Sequence, residues 1–303
     1  MKSLFFELLC LPSLLIANNG NDSTSYWKIH FQPMLQFNQA HYDNWAAGGR
    51  NSIALSTSID FRADYKQEDW TFNTAYNQNF GVANIAEEDG VIKTQDILSL
   101  LTRVGKRQGE NTQITFFTDV LTQASPTYYE VDETDPMRAK QSNFFAPGYL
   151  TTGFGLEYHS DSLTVHADIS PVAGKQTIVM DDEVDETNYG IEEGKMMRNE
   201  LGAYLRLSYE KEILDRTELS THLLVFTNYL EDFGTLDLYW RGRLNIHAND
   251  WLAMSLQTQL IFDKDVDLDY LKDVNGDGTS DITESDSNLQ FMQMLGLGAT
   301  IKF

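Results

Sequence analysis

Polar and apolar residues alternate with a period of two along most of this chain. In the closing stretch 289–303, Leu289, Phe291, Leu295, Leu297, Ala299, Ile301 and Phe303 share one face with Gln293. Gln290, Met292, Met294, Gly296, Gly298, Thr300 and Lys302 share the other. Successive side chains of a strand point to opposite faces, so this reads as a strand with one side against something apolar. The same alternation begins at Trp27, with Ile29, Phe31, Pro33, Leu35 and Phe37 against Lys28, His30, Gln32, Gln36 and Asn38. It returns from Ile53 to Tyr65, Trp70 to Phe80, Leu98 to Val104, Ile114 to Thr122, Leu150 to Tyr158 and Leu163 to Ile169. Four more sets run from Leu201 to Tyr209, Leu219 to Tyr229, Leu236 to Ile246 and Leu252 to Phe262. Contrast is poorest in the fifth set, where Phe117 and Leu121 fall on the polar side. The pattern predicts about twelve strands.

Three features point to lipid as what the apolar faces meet. No charged residue falls on any of these faces mid-strand, where a Lys or Arg at the bilayer midplane would cost ~2–4 kcal/mol. Connection length alternates. Short links near 66–69, 107–111, 159–162, 211–216 and 247–250 interleave with longer ones near 40–50, 83–93, 124–144, 172–197 and 264–288, the 230–234 link being the one short member of the second class. The aromatics of the apolar face collect at strand ends: Trp27, Tyr65, Trp70, Tyr158, Tyr209 and Phe303 at one, Phe37, Phe80, Tyr229 and Phe262 at the other. Amphipathic rings favour membrane interfaces. The expected fold is all-β: a transmembrane antiparallel up-and-down β-barrel with short periplasmic turns and long acidic extracellular loops, in the outer membrane of a Gram-negative bacterium.

Composition refines this. The 303 residues carry a net charge of −23. Such acidity argues against nucleic acid, whose binding needs clustered Lys and Arg. No apolar run is long enough for a spanning helix. Residues 1–17 have a basic start at Lys2, an apolar stretch and a small residue at Ala17, the outline of an export signal; Glu7 and Leu15 depart from it. Residues 18–26 read as a polar linker and 27–303 as the barrel. Cys10, the single cysteine, lies in the signal, so no disulfide or thiol chemistry is expected beyond it. The expected partners are the lipid bilayer and, through the last strand ending in Phe303, the outer-membrane assembly machinery. A monomer is expected.

The inward faces hold the candidate chemistry. Asp60, Arg62, Glu157, Asp168, Glu200, Arg206, His222, Asp237, Arg241 and Arg243 are assigned to the lumen lining. They could neutralise one another in a cross-strand network or line a pore that selects by charge. No enzyme is expected. Tyr158–Ser162 puts His159 beside Ser160 and Ser162, but in a predicted periplasmic turn with no orienting partner. Val172–Thr177 resembles part of a phosphate loop but lacks the upstream glycine, so Gly174 is read as a loop turn. The one sharp motif is a calcium-loop spacing, with Asp273, Asn275, Asp277, Thr279 and Glu284 as ligands and Gly278 at the tight turn. No cofactor other than this calcium is expected. Two functions follow as expectations: a pore or small-solute transporter, and a non-conducting barrel whose acidic loops bind calcium, polysaccharide or a partner protein. A barrel hydrolase ranks behind both.

Three segments carry a resemblance. Trp45, Gly48, Gly49, Asn51 and Ser52 form W-x-x-G-G-x-N-S; Phe145, Ala146, Pro147, Tyr149 and Leu150 lead into a middle strand; Pro171, Gly174, Lys175 and Thr177 follow the next. Together they resemble an outer-membrane β-barrel family of unknown function from Gram-negative bacteria. The resemblance implies the barrel and brings no activity, substrate or catalytic residue.

Overall fold

The computed structural model describes residues 26–40, 51–86, 91–128, 140–160, 164–231, 233–266, 269–272, 281–284 and 289–300. The expected export signal 1–17, Trp45, Gly48, Gly49, Phe303 and the expected calcium ligands Asp273, Asn275, Asp277 and Thr279 lie outside them. Glu284 ends a short strand.

The strands are β1 (Trp27–Ala40), β2 (Ser52–Gln67), β3 (Trp70–Ile85), β4 (Ile92–Arg107), β5 (Thr112–Thr122), β6 (Thr127–Tyr128), β7 (Lys140–Ser142), β8 (Gly148–Ser160) and β9 (Val165–Ile178). β10 (Met197–Leu214), β11 (Thr217–Asn228), β12 (Asp237–His247), β13 (Leu252–Phe262), β14 (Asp269–Lys272), β15 (Asp281–Glu284) and β16 (Leu289–Thr300) follow. Twelve of them close a barrel in the order β1-β16-β13-β12-β11-β10-β9-β8-β5-β4-β3-β2, every neighbouring pair antiparallel. β6 with β7 and β14 with β15 form two small hairpins within long loops. Closure leaves no free edge, the arrangement that satisfies every ladder group.

Side chains sort as the alternation requires. Phe154, Leu156, Phe291 and Leu295 on the outer face each keep about 60% of their surface exposed, while Ser56, Ser58, Asn79, Thr115, Ser255 and Gln257 on the inner face are buried. Polar inside and apolar outside is the reverse of a soluble protein. The five tight connections, from β2–β3 to β12–β13, lie at one end, and every longer connection lies at the other. At the short-turn end Trp27 packs on Tyr65 (ring centroids 5.0 Å) and Phe72 (6.0 Å), and Tyr229 meets Phe233 (5.8 Å) at the long-loop end.

Several strands are longer than the alternation predicts, β10 (Met197–Leu214) at both ends and β3 (Trp70–Ile85) at its end among them. β4 starts at Ile92 instead of Leu98, because Lys93 and Asp96 disguise its first turn of alternation. β9 continues to Ile178, so Gly174 is not a loop turn but an interior strand residue. The reason is a bulge. Pro171 and Val172 both face outward, and the register slips on both partner strands, between Phe154 and Leu156 and between Gly202 and Tyr204. An extra residue reverses the facing of everything after it. His166, Asp168 and Ser170 point inward before the bulge; Ala173, Lys175 and Thr177 do so after it. Gly202 sits at this slip because a Cβ there would lie 1.9 Å from the Thr227 carbonyl oxygen.

The 179–196 loop has its own small core of Val179, Val184 and Ile191 packed on Ala146, with Tyr189 against it. It holds seven carboxylates against one lysine. Its single 3-10 turn, Glu186–Tyr189, is capped by Asp185, whose carboxylate accepts from Thr187 N, and ends on left-handed Gly190.

Candidate functional site: a sealed lumen with a cup above it

At mid-height the lumen is filled. Phe117 on β5 stacks with Tyr204 on β10 at a centroid distance of 4.5 Å, and Leu101, Ala173 and Phe226 complete a cluster in which each residue is at most 3% exposed. Gly153 makes room for it: a Cβ there would lie 2.6 Å from Phe117 Cε1. The Tyr204 hydroxyl donates to Asp119 Oδ2 (3.1 Å), which also accepts from Arg206 Nη1 (2.9 Å). An apolar plug is thus ringed by satisfied charges.

The remaining cross-section is spanned by polar bridges. Arg62 on β2 reaches Glu210 on β10, six positions away in a ring of twelve and so on the opposite wall; it also contacts Asp60 (3.2 Å). Arg243 on β12 donates to Asn79 Oδ1 on β3 (3.1 Å). Gln257 on β13 accepts from Gln95 on β4 (3.3 Å) and donates to Gln36 on β1 (3.0 Å), itself bonded by Ser56 (3.3 Å). Below the plug, Arg103 pairs with Asp168 (3.1 Å) and Glu157 (3.1 Å), and Gln113 donates to Glu157 (2.8 Å). His222 lies between Ser208 and Ser220, about one hydrogen bond from each (3.1 and 3.0 Å), and 3.4 Å from Glu210.

At the long-loop rim, Lys175 is the hub. Its ammonium lies 2.5 Å from Asp237, 2.9 Å from Asp263 and 3.7 Å from Glu200, with the rings of Tyr149 and Phe226 at 5.8 and 5.6 Å. Arg198 joins Glu200 (3.0 Å) and Asp265 (3.0 Å). Asp237, Asp263 and Asp265 place oxygens close enough together to hold a metal ion, but Lys175 and Arg198 already supply the compensating charge. The bulge at Pro171 is what turns Lys175 into this cluster. Two of the three segments behind the family resemblance therefore meet here, through Tyr149 and Lys175.

The ten residues assigned to the lumen from sequence all lie on inward faces. Asp60 with Arg62, Glu157 with Asp168, and Glu200 with Asp237 are brought together; Arg206 joins Asp119 instead, and Arg241 forms no ion pair among the described residues. Lys175, Phe117 and Tyr204 were not among them. The signal for Lys175 was Pro171, since proline inside a strand marks a bulge or an edge; the signal for Phe117 was its aromatic ring on the polar side.

Between plug and long loops lies a cup of about 410 Å³. Its floor includes Asp119, Arg206, His222, Arg241 and Phe226, and Gln141, Ser142, Asn188 and Tyr189 of the loops reach over it. Those loops are clamped together. Lys140 bridges Asp181 (2.8 Å) and Glu183 (2.6 Å), Asn143 donates to Asp181 (2.5 Å), and the Tyr189 hydroxyl donates to the Gln141 carbonyl (2.8 Å). Hydrogen bonds from Lys140, then Asn143, hold the Asp181 carboxyl down at about 2, and the same contact with Asp181 raises the Lys140 ammonium above its ordinary value.

Residues 37–128 match a family model described as "Protein of unknown function (DUF3078)". No curated protein matches the sequence. Among solved structures, the translocator domain of the autotransporter NalP from Neisseria meningitidis is 9% identical, covering 93% of this chain and 90% of its own, with a TM-score of 0.38. An outer membrane channel from Pseudomonas putida F1 is 11% identical over 94% and 100%, with a TM-score of 0.39. Outer membrane phospholipase A from Escherichia coli, as an active-site mutant, is 10% identical over 94% of each chain, with a TM-score of 0.37. At such scores the strand order described above, and not these likenesses, carries the fold.

Proposed function

We propose that this protein is an outer-membrane β-barrel whose lumen is sealed at mid-height and whose cup takes up a small solute from the long-loop side. Membrane placement is supported by the exposed apolar outer face, the polar inner face and the aromatic rings at both ends. The single observation carrying the sealed reading is the Phe117–Tyr204–Phe226 plug, and the Arg62–Glu210 bridge between opposite walls adds to it. A free-diffusion pore needs a continuous aqueous path, and each of these features occupies it. The reading is that of a binding or gated-uptake barrel.

The test is planar-bilayer recording on the refolded full chain. The expected outcome is no steady conductance from the wild type, and channel openings from a Phe117→Ala/Tyr204→Ala double variant. Steady, voltage-independent conductance from the wild type would establish an open pore and end the sealed reading.

A further inference from the structure

The carboxylates around the cup are all partnered. Asp119 holds Arg206 and Tyr204, Asp237 and Asp263 hold Lys175, and Asp96 accepts from Lys93, from the amides of Ala124 and Ser125, and from the Ser125 hydroxyl. One of the cations is not. Arg241, on the floor, makes no ion pair or hydrogen bond among the described residues, and its buried Nη1 has no partner. The hydroxyl of Tyr239, two residues earlier on the same inward face, is also buried without a partner. Arg243 next to them is held by the neutral amide of Asn79. His222 feels Arg241, Arg206, Arg62 and Arg243 together. The carboxylates that answer these four arginines by contact are Asp60, Glu210 and Asp119, and they contact Arg62 and Arg206.

A guanidinium with one buried, unpartnered nitrogen and no counter-charge in contact, and an orphaned buried hydroxyl on the same face, are costly unless something occupies them. A guanidinium fork matches a carboxylate in a two-bond geometry, and a neighbouring hydroxyl adds a third donor. Part of the inward wall is apolar, with Ile97, Leu121, Leu224 and Ile261 above Phe226 of the floor. The volume of about 410 Å³ falls within the range of small-molecule sites.

We propose that the cup binds a small organic anion, its carboxylate received by Arg241 and Tyr239 and its apolar body lying against Leu224 and Phe226. This deepens the solute-binding reading above and rests on it. The two nevertheless fail separately, since the seal is judged by conductance and the anion by binding.

The experiment is isothermal titration calorimetry on the refolded full chain in detergent, with benzoate, benzyl alcohol and benzylammonium as probes of one shape and three charges. Empty micelles serve as the blank. Benzoate is expected to bind at least tenfold more tightly than either analogue. Arg241→Gln is expected to lower benzoate affinity tenfold or more, and Tyr239→Phe, which keeps the ring and the charge, several-fold. Preference for the alcohol or the cation, unchanged affinity in Arg241→Gln or in Tyr239→Phe, or no heat with any probe from folded protein would each overturn the anion site.

Discussion

Lys175 answers three carboxylates from a position with little exposure, so its removal has a definite expected effect. Lys175→Met leaves Asp237, Asp263 and Glu200 facing one another without their shared cation. Stranding buried charge costs about 3–5 kcal/mol, which chemical unfolding in lipid vesicles would register as a lower midpoint. Adding Asp263→Asn is expected to recover part of that loss, because the two sites share one network and their effects do not add. Asp181 belongs to a different regime. Its folded-state pKa of about 2 lies below the ordinary carboxylate value, so its contribution to the loop clamp is present above roughly pH 4 and lost as pH falls through about 2. Limited proteolysis of 179–196 is therefore expected to be flat from pH 8 to 4 and to rise below 3, while Asp181→Asn is cut faster at every pH. At this scale much was hidden in the sequence. The inward charged residues could be read from parity, but Arg241 and Arg206 look alike in a string of letters, and among the described residues Arg206 alone of the two contacts a carboxylate.

Strands were legible wherever strict alternation held, and opaque where it was interrupted for a reason. β1 and β2 could be read almost end to end. β9 could not, because two consecutive outward residues at Pro171–Val172 break the period and make its second half resemble a loop. The bulge is expected to matter because it absorbs the extra residue that would otherwise turn Lys175 outward. Deleting Val172 removes that extra residue, so Pro171 stays outward, Ala173 inward, Gly174 outward and Lys175 inward in simple alternation. Such a variant should fold into vesicles in a yield near that of the wild type, followed by the gel-mobility shift between heated and unheated samples. A deletion variant that folds in much lower yield would show that the bulge does more than absorb that residue. Phe117 was equally misleading: a bulky apolar residue on the polar face weakened the strand's contrast because it belongs to the plug, not to the lining.

The whole molecule turns a soluble protein inside out, and that inversion can be measured. Leu100, mid-way along β4 and 42% exposed, faces outward. Leu100→Arg is expected to destabilise the barrel in lipid by ~2–4 kcal/mol, whereas the same change on a water-facing surface would stay within about ±0.5 kcal/mol. Unfolding in vesicles separates the two. The net charge of −23 fits the same picture, since the interior groups largely pair off and the 179–196 loop adds an excess of carboxylates outside. The Arg62–Glu210 contact has a mechanical meaning as well. A thin cylindrical wall resists bending poorly, and lateral pressure from surrounding lipid tends to flatten it into an ellipse. A tie-rod running from one side to the other fixes one diameter, so the circular section, and with it the fit of every group packed inside, is held by that strut as well as by the hoop of hydrogen bonds.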